Sequence, residues 1–347
     1  MKILKYQGPW QFTLEDASMP AYGDSEILVR SEAIGICGSD VHGYTGESGR
    51  RKPGMVMGHE AAGTVVASGA NVRGIKPGDN VAIFPTLGCG TCEYCKAGLE
   101  HICPSKRIMG VNAGTWGAMG DYFVCNERQA FPLNEHTDPA IGLFAEPLGV
   151  ALHAVNLMKP RQEAVLAIIG AGTIGLALTI VLASQGYKHL FILDKIEAKL
   201  ELARELGAHP IHAENDDALQ IIARETNRSR PFGVFEAVGA AATVRRAYDL
   251  CDFGGTIVLI GNLAKEFTLP LQGVTSNELT IRGSYGFTRA EFGQGAELAE
   301  RNQEVLSRLI TGSCSLEDTP KVMEQLARGE LQATKMVIRP QHAVAVA

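Results

Sequence analysis

The sequence has 347 residues, 46% of them hydrophobic and 20% charged, and a formal net charge of −6. That length exceeds the roughly 250 to 300 residues at which a single core stops growing, so two domains are expected. The mild acidity and the scattered lysines and arginines exclude the basic stripe of a nucleic-acid-binding or anionic-membrane protein. No uncharged apolar run reaches the roughly 20 residues that cross a bilayer, and the opening MKILKYQGPWQFTLEDA lacks the apolar core of a secretory signal. A cytoplasmic location, in which eight cysteines stay reduced, is therefore expected.

Up to about residue 150, short β-branched runs such as EILVRSEAIGI, EAAGTVVASGA and PGDNVAIFP are broken by glycine and proline, which predicts a compact all-β body. Inside it lies LGCGTCEYCKAGLEHIC, with Cys89, Cys92, Cys95 and Cys103 spaced to converge on one cation. Four thiolates suit a closed, structural zinc site. An iron–sulfur cluster uses the same ligands, and a pair of disulfides would need an oxidising compartment.

From about residue 155 strands and helices alternate. AVLAIIG reads as a buried parallel strand, IGLALTIVLASQG as a helix ending at glycine, HLFILD as a second strand and AKLELARELGA as a second helix. FGVFEAV, GTIVLIG and LTIRGSYG supply three more strands, LEDTPKVMEQLARGE a late helix, and QHAVAVA no assignment. The turn after the first strand is Gly170-Ala-Gly172-Thr173-Ile174-Gly175. In this strand-to-helix context Gly170 makes the tight turn, Gly172 lets the backbone approach a pyrophosphate, and Gly175 lets helix and strand pack closely. Asp194 ends the next strand, where a carboxylate accepts hydrogen bonds from an adenosine ribose and favours NAD over NADP; the adjacent Lys195 keeps dual use open.

Cys37 in GICGSDVH, His59 and Glu60 in MGHEAAG, and Glu146 in FAEPLGVALHA are the residue types of a catalytic zinc, which keeps one position open for an alcohol oxygen. Each alone is more ordinary as a core or helix-start residue. Together they point to a metal.

These motifs, in the order GICGSDVH, GHEAAGTV, KPGDNVAIFPTLGCGTCEYC, AEPLGVALHA, GAGTIG and GGTIVLIG, resemble the zinc-dependent medium-chain dehydrogenases, and within them the sorbitol (polyol) branch. The resemblance implies a GroES-like β-rich catalytic domain over 1–152, a Rossmann doubly wound parallel sheet binding NAD over 153–287, and a return to the catalytic domain over 288–347. It implies two zinc ions per chain. One is catalytic, on Cys37, His59 and Glu146, with Glu60 either a further ligand or a base beside the metal, and the other is structural, on the four clustered cysteines. Glu146 stands where alcohol dehydrogenases have a second cysteine and polyol dehydrogenases a glutamate. Ser39 and His42 match the family's proton relay, and Asp40 is placed to hold the imidazole of His59. A small-molecule alcohol and a homo-oligomer, dimer or tetramer, are the partners implied.

Three features leave the substrate open. Arg50, Arg51 and Lys52 precede the zinc histidine and either attract an acidic substrate or are solvated, the latter being the ordinary case. IRGSYGFTR resembles threonine dehydrogenases. Lys335 matches a basic residue that could meet the cofactor. The leading reading is NAD-dependent oxidation of a secondary alcohol of a polyol, sugar acid or sugar phosphate. A threonine-type amino alcohol dehydrogenase and a zinc-stabilised nucleotide-binding protein without turnover are the alternatives.

Overall fold

The run EILVRSEAIGI forms the 11-residue strand Glu26–Ile36, the spine of a seven-stranded sheet in the computed structural model, which describes residues 1–341. This strand pairs antiparallel with Glu60–Ser68, Tyr122–Asn126 and Lys335–Ile338. The sheet continues through Asn80–Ile83 to Ala130–Pro132 on one side and to Ile310–Cys314 on the other. Alternating inward residues of these strands, among them Ile27, Val29, Ile34, Val65, Val81, Phe123 and Ile338, make the core. Met1–Glu146 and the chain from Thr288 onward form one compact unit, and Pro147–Phe287 forms the other.

Within the first 150 residues the expected all-β body also carries short helices, Glu93–Lys96 and Pro139–Gly142 among them, and residues 288–341 add further helices to the first unit. Gly38–Tyr44 follows the spine strand directly, Thr319–Ala327 sends Met323 into the core, and Arg289–Arg301 and Gln303–Leu309 follow the second unit. Arg289–Arg301 carries a legible start signal: Thr288 accepts the Glu291 N–H, while the Glu291 carboxylate accepts from Thr288. Among the described residues, Pro139–Met158 alone is long and apolar enough to cross a membrane, a stretch that a search for uncharged runs passes over because Glu146 interrupts it. Since 78% of its apolar window is buried within the protein, it is accounted for as core.

In the second unit six strands run parallel. Leu166–Ile169 lies centrally, flanked on one side by Leu190–Asp194 and then His209–His212, and on the other by Gly233–Glu236, Thr256–Leu259 and Thr280–Gly283. This is the Rossmann order, third-second-first-fourth-fifth-sixth. The strand His209–His212 is the one absent from the sequence reading; its HPIH has a proline and two histidines in place of a β-branched run. Gly170 has φ +97°, a region open to glycine. A Cβ on Gly175 would lie 1.8 Å from the Gly170 carbonyl oxygen, so helix Thr173–Ser184 sits against the turn with no room for a methyl group. Gly175→Ala should therefore destabilise the protein by at least about 2 kcal/mol, read as a lowered calorimetric Tm; an unchanged Tm would contradict this packing.

Candidate active site and metal centres

The strand Glu26–Ile36 passes into helix Gly38–Tyr44 at Cys37, whose Sγ accepts the Ser39 N–H at 3.4 Å and so caps the helix. Neighbouring strands bring the other donors to this point. Gly35 faces Glu60 on one side and Val337 on the other. A Cβ on Gly35 would lie 2.1 Å from Glu60 Oε2, so the glutamate side chain lies across the missing side chain. There its Oε2 accepts a hydrogen bond from Lys335 Nζ at 2.6 Å, with the two side chains 2% and 1% exposed.

Cys37, His59 and Glu60 each present one ligand atom within 4.8 Å of the others. Glu146 does not belong to that tight group. It sits in the first turn of helix Ala145–Met158, where burial and then the Glu60 carboxylate push its carboxyl up to about 7. Its proximity to Glu60, His59 and Lys335 is felt electrostatically. Two buried carboxylates at one place, with a thiol and an imidazole, form a donor set that fits a divalent cation better than it fits protons.

Behind His59 stands a buried chain of charge. Its Nδ1 lies 3.4 Å from Asp40 Oδ1, an ion-pair distance longer than a well-formed hydrogen bond. Burial alone would lower the imidazole pKa, yet Asp40 and then Cys37 raise it well above its usual value. Burial would likewise raise Asp40, and His59 and Arg51 together hold its carboxyl far below the usual range. Arg51 is the residue that the sequence reading misplaced. It is neither solvated nor directed at a substrate, because its guanidinium is buried and donates to Asp40 Oδ1 at 2.9 Å. It packs where Gly43 leaves space, a Cβ there lying 2.7 Å from Arg51 Cγ. Lys335, matched in the sequence to a basic residue that could meet the cofactor, gives one of its ammonium donors to Glu60. Burial would lower its pKa, while Glu60 and Cys37 raise it.

Ser39 is exposed and His42 half-buried, three residues apart on helix Gly38–Tyr44 and so on neighbouring positions of one face. His42 Nδ1 meets Glu47 Oε2 at 2.9 Å at the protein surface.

The four clustered cysteines converge within 4.8 Å, with Sγ separations of 3.9 Å for Cys89–Cys95 and 3.7 Å for Cys92–Cys103. Sulfurs roughly 2.3 Å from a tetrahedral zinc lie about 3.8 Å apart, whereas a disulfide needs about 2.05 Å. The Thr91 hydroxyl and backbone N–H groups lower Cys89 to about 5, while desolvation and the neighbouring thiols push Cys95 up to about 12. Sulfurs this close cannot all be thiolates without a compensating cation. Glu100, which the sequence reading passed over, ties this lobe down: one oxygen accepts the Gly88 N–H at 3.1 Å and the other the Arg128 guanidinium at 2.6 Å.

In the second unit a Cβ on Gly172 would meet nothing within 4 Å. The protein itself gives no steric reason for glycine there, which suits a residue whose backbone must be approached by a ligand. Asp194 accepts N–H groups from Ala171 in the glycine turn (2.7 Å), from Lys195 (2.7 Å) and from Ile196 (3.0 Å). A carboxylate offers about four acceptor positions, so one remains. The fully buried Glu236, at the end of strand Gly233–Glu236 on the other side of Leu166–Ile169, accepts the N–H groups of Val238 and Gly239 and fixes the turn facing Gly170. It has no sequence signal beyond its strand-end position.

Residues 23–135 match the family model of the alcohol dehydrogenase GroES-like domain, and residues 173–301 match that of the zinc-binding dehydrogenases. The chain is 31% identical to an L-threonine 3-dehydrogenase of Bacillus velezensis, covering 97% of this chain and 98% of that protein. It is 29% identical to the sorbitol dehydrogenase of Bacillus subtilis, covering 98% and 97%. A zinc-binding dehydrogenase structure from Sinorhizobium meliloti, bound to NADP, superposes with a TM-score of 0.87 at 28% identity, covering 98% of this chain and 99% of that one.

The buried pair at Glu60 generates a stability prediction. Lys335→Met strands a carboxylate out of water and should cost about 3 to 5 kcal/mol in denaturant unfolding, and Glu60→Gln in the same chain should restore much of it. A Lys335→Met loss under about 1 kcal/mol would contradict the pairing.

Proposed function

The chain belongs to the zinc-type medium-chain alcohol dehydrogenases, and from that premise we propose that it oxidises a secondary alcohol of a polyol, sugar acid or sugar phosphate to a ketone, with NAD as hydride acceptor. The observation that carries this reading is the convergence of Cys37, His59 and Glu60, with the carboxylate of Glu146 beside them. A glutamate at 146 is the polyol-type choice. Cys37, His59 and Glu146 would hold the catalytic zinc, with Glu60 exchanging between metal and Lys335 or staying on Lys335. Cys89, Cys92, Cys95 and Cys103 would hold the second zinc.

Zinc bound there supplies Lewis acidity, which eases loss of the alcohol proton. The protein's own groups do the rest. Asp40, fixed by Arg51, orients the His59 ring so that its other nitrogen is left for the metal. The exposed Ser39 hydroxyl would relay the proton, taking it up as it gives up its own, and His42, further along the same helix, would carry the released proton toward water. Lys335 compensates the charge of Glu60, so that two carboxylates can share the site.

For the cofactor, the glycine turn would receive the pyrophosphate and Asp194 the ribose hydroxyls. A 2′-phosphate would meet the Asp194 charge, which favours NAD. The threonine reading is kept because of the similarity to L-threonine 3-dehydrogenase.

Metal analysis should return two zinc per chain. Cys95→Ser should lower stability more than turnover per folded molecule, and Glu146→Ala should lose one zinc or all turnover while still binding NAD. One zinc per chain in the wild type, or full turnover in Glu146→Ala, would contradict the assignment. A panel of polyols, sugar acids, sugar phosphates and threonine, followed at the absorbance of reduced nicotinamide, should show turnover with a polyol-class substrate. Turnover with threonine alone would establish the second reading.

A further inference from the structure

A second carboxylate stands close enough to the strand-end aspartate to bear on which nicotinamide cofactor is accepted. Asp194 and His212 are partners in parallel register at the carboxyl ends of adjacent strands, the edge of such a sheet at which nucleotides bind. The bond from Ala171 N–H to Asp194 Oδ2 shows that this edge adjoins the glycine turn. Lys195, the next residue, would by itself put an ammonium where a 2′-phosphate could use it. It is instead engaged by Glu214, with Nζ 2.5 Å from Oε1.

The backbone at Glu214 is held in a turn. His212 Nδ1 accepts the N–H groups of Glu214 (3.3 Å) and Asn215 (3.2 Å), and the His212 N–H donates to Asp216 Oδ2 at 2.7 Å. This hydrogen-bonded turn sets the carboxylate two residues beyond the strand end. With Asp194, Glu214 and Asp216 negative and Lys195 positive, the rim carries a net negative charge. A phosphate bearing about −1.5 to −2 would be repelled there.

We propose that Glu214 is a cofactor-specificity residue, which sequesters the Lys195 ammonium and sets a second negative charge beside Asp194, so that the site takes the free 2′-hydroxyl of NAD and rejects the 2′-phosphate of NADP. The inference rests on the NAD reading above. Removing the carboxylate would release the ammonium and make the rim less negative. The gain for NADP should then depend on Lys195.

Calorimetric titration of the zinc-loaded protein with NAD, NADP, 5′-AMP and 2′,5′-ADP tests this without turnover. Glu214→Gln should tighten NADP and 2′,5′-ADP about two- to fivefold relative to NAD and 5′-AMP. Adding Lys195→Ala should remove the part of that gain supplied by the freed ammonium, and Lys195→Ala alone should disfavour NADP and 2′,5′-ADP further, because it leaves the Asp194 and Glu214 charges unopposed. An unchanged ratio in Glu214→Gln, or a gain that Lys195→Ala leaves undiminished, would overturn the inference whatever the wild-type ratio. Equal wild-type affinity for NAD and NADP would instead overturn the NAD assignment.

Discussion

A glutamate and a lysine, both almost wholly removed from water, face each other across a glycine in the middle of the main sheet, and the candidate metal site depends on that arrangement. Taking two charges out of water costs several kcal/mol per ion, and only a close partner offsets it. Glu60 and Lys335 are 275 residues apart in sequence and 2.6 Å apart in space. The spine strand supplies the missing side chain at Gly35 that lets them meet. Arg51 and Asp40 repeat the device behind His59. Opposite charges thus back both the imidazole of His59 and the carboxylate of Glu60, and each of these two is backed by a partner that is itself buried.

Buried ion pairs are weak contributors to stability, so their presence here has another explanation. A site that gathers Cys37, His59, Glu60 and Glu146 brings together more negative charge than an apolar interior tolerates. Lys335 and Arg51 balance it, and neither cation is free to serve a substrate. Their cost is the cost of holding anionic ligands in place.

Much of this was legible in the chain. Close cysteine spacing declared the four-sulfur cluster because its ligands are local, and the strand, glycine turn and helix around Gly170 were readable for the same reason. The doubly wound sheet followed from its apolar runs. Arg51 was misread because it lies in a polar loop, GESGRRKP, in which nothing marks one arginine as buried; only folding sets it against Asp40. The pairing of Lys335 with Glu60 was not legible, because it is set by strand register, which pattern alone does not give. The strand at His209, the carboxylates of Glu100 and Glu236, and the pairing of Lys195 with Glu214 were missed for related reasons, since each is defined by what it touches rather than by its neighbours in sequence.

The central claim is that Gly35 makes room for the Glu60–Lys335 pair, around which the proposed metal site of Cys37, His59 and Glu146 is built. The most direct test is the zinc content of folded Gly35→Ala protein, with folding checked by circular dichroism. A Cβ there would force the Glu60 carboxylate away, the nearest approach being 2.1 Å. The account predicts that the variant keeps the zinc of Cys89, Cys92, Cys95 and Cys103 and loses or weakens the other, with turnover falling in proportion. Two tightly bound zinc ions and wild-type turnover in Gly35→Ala would contradict it.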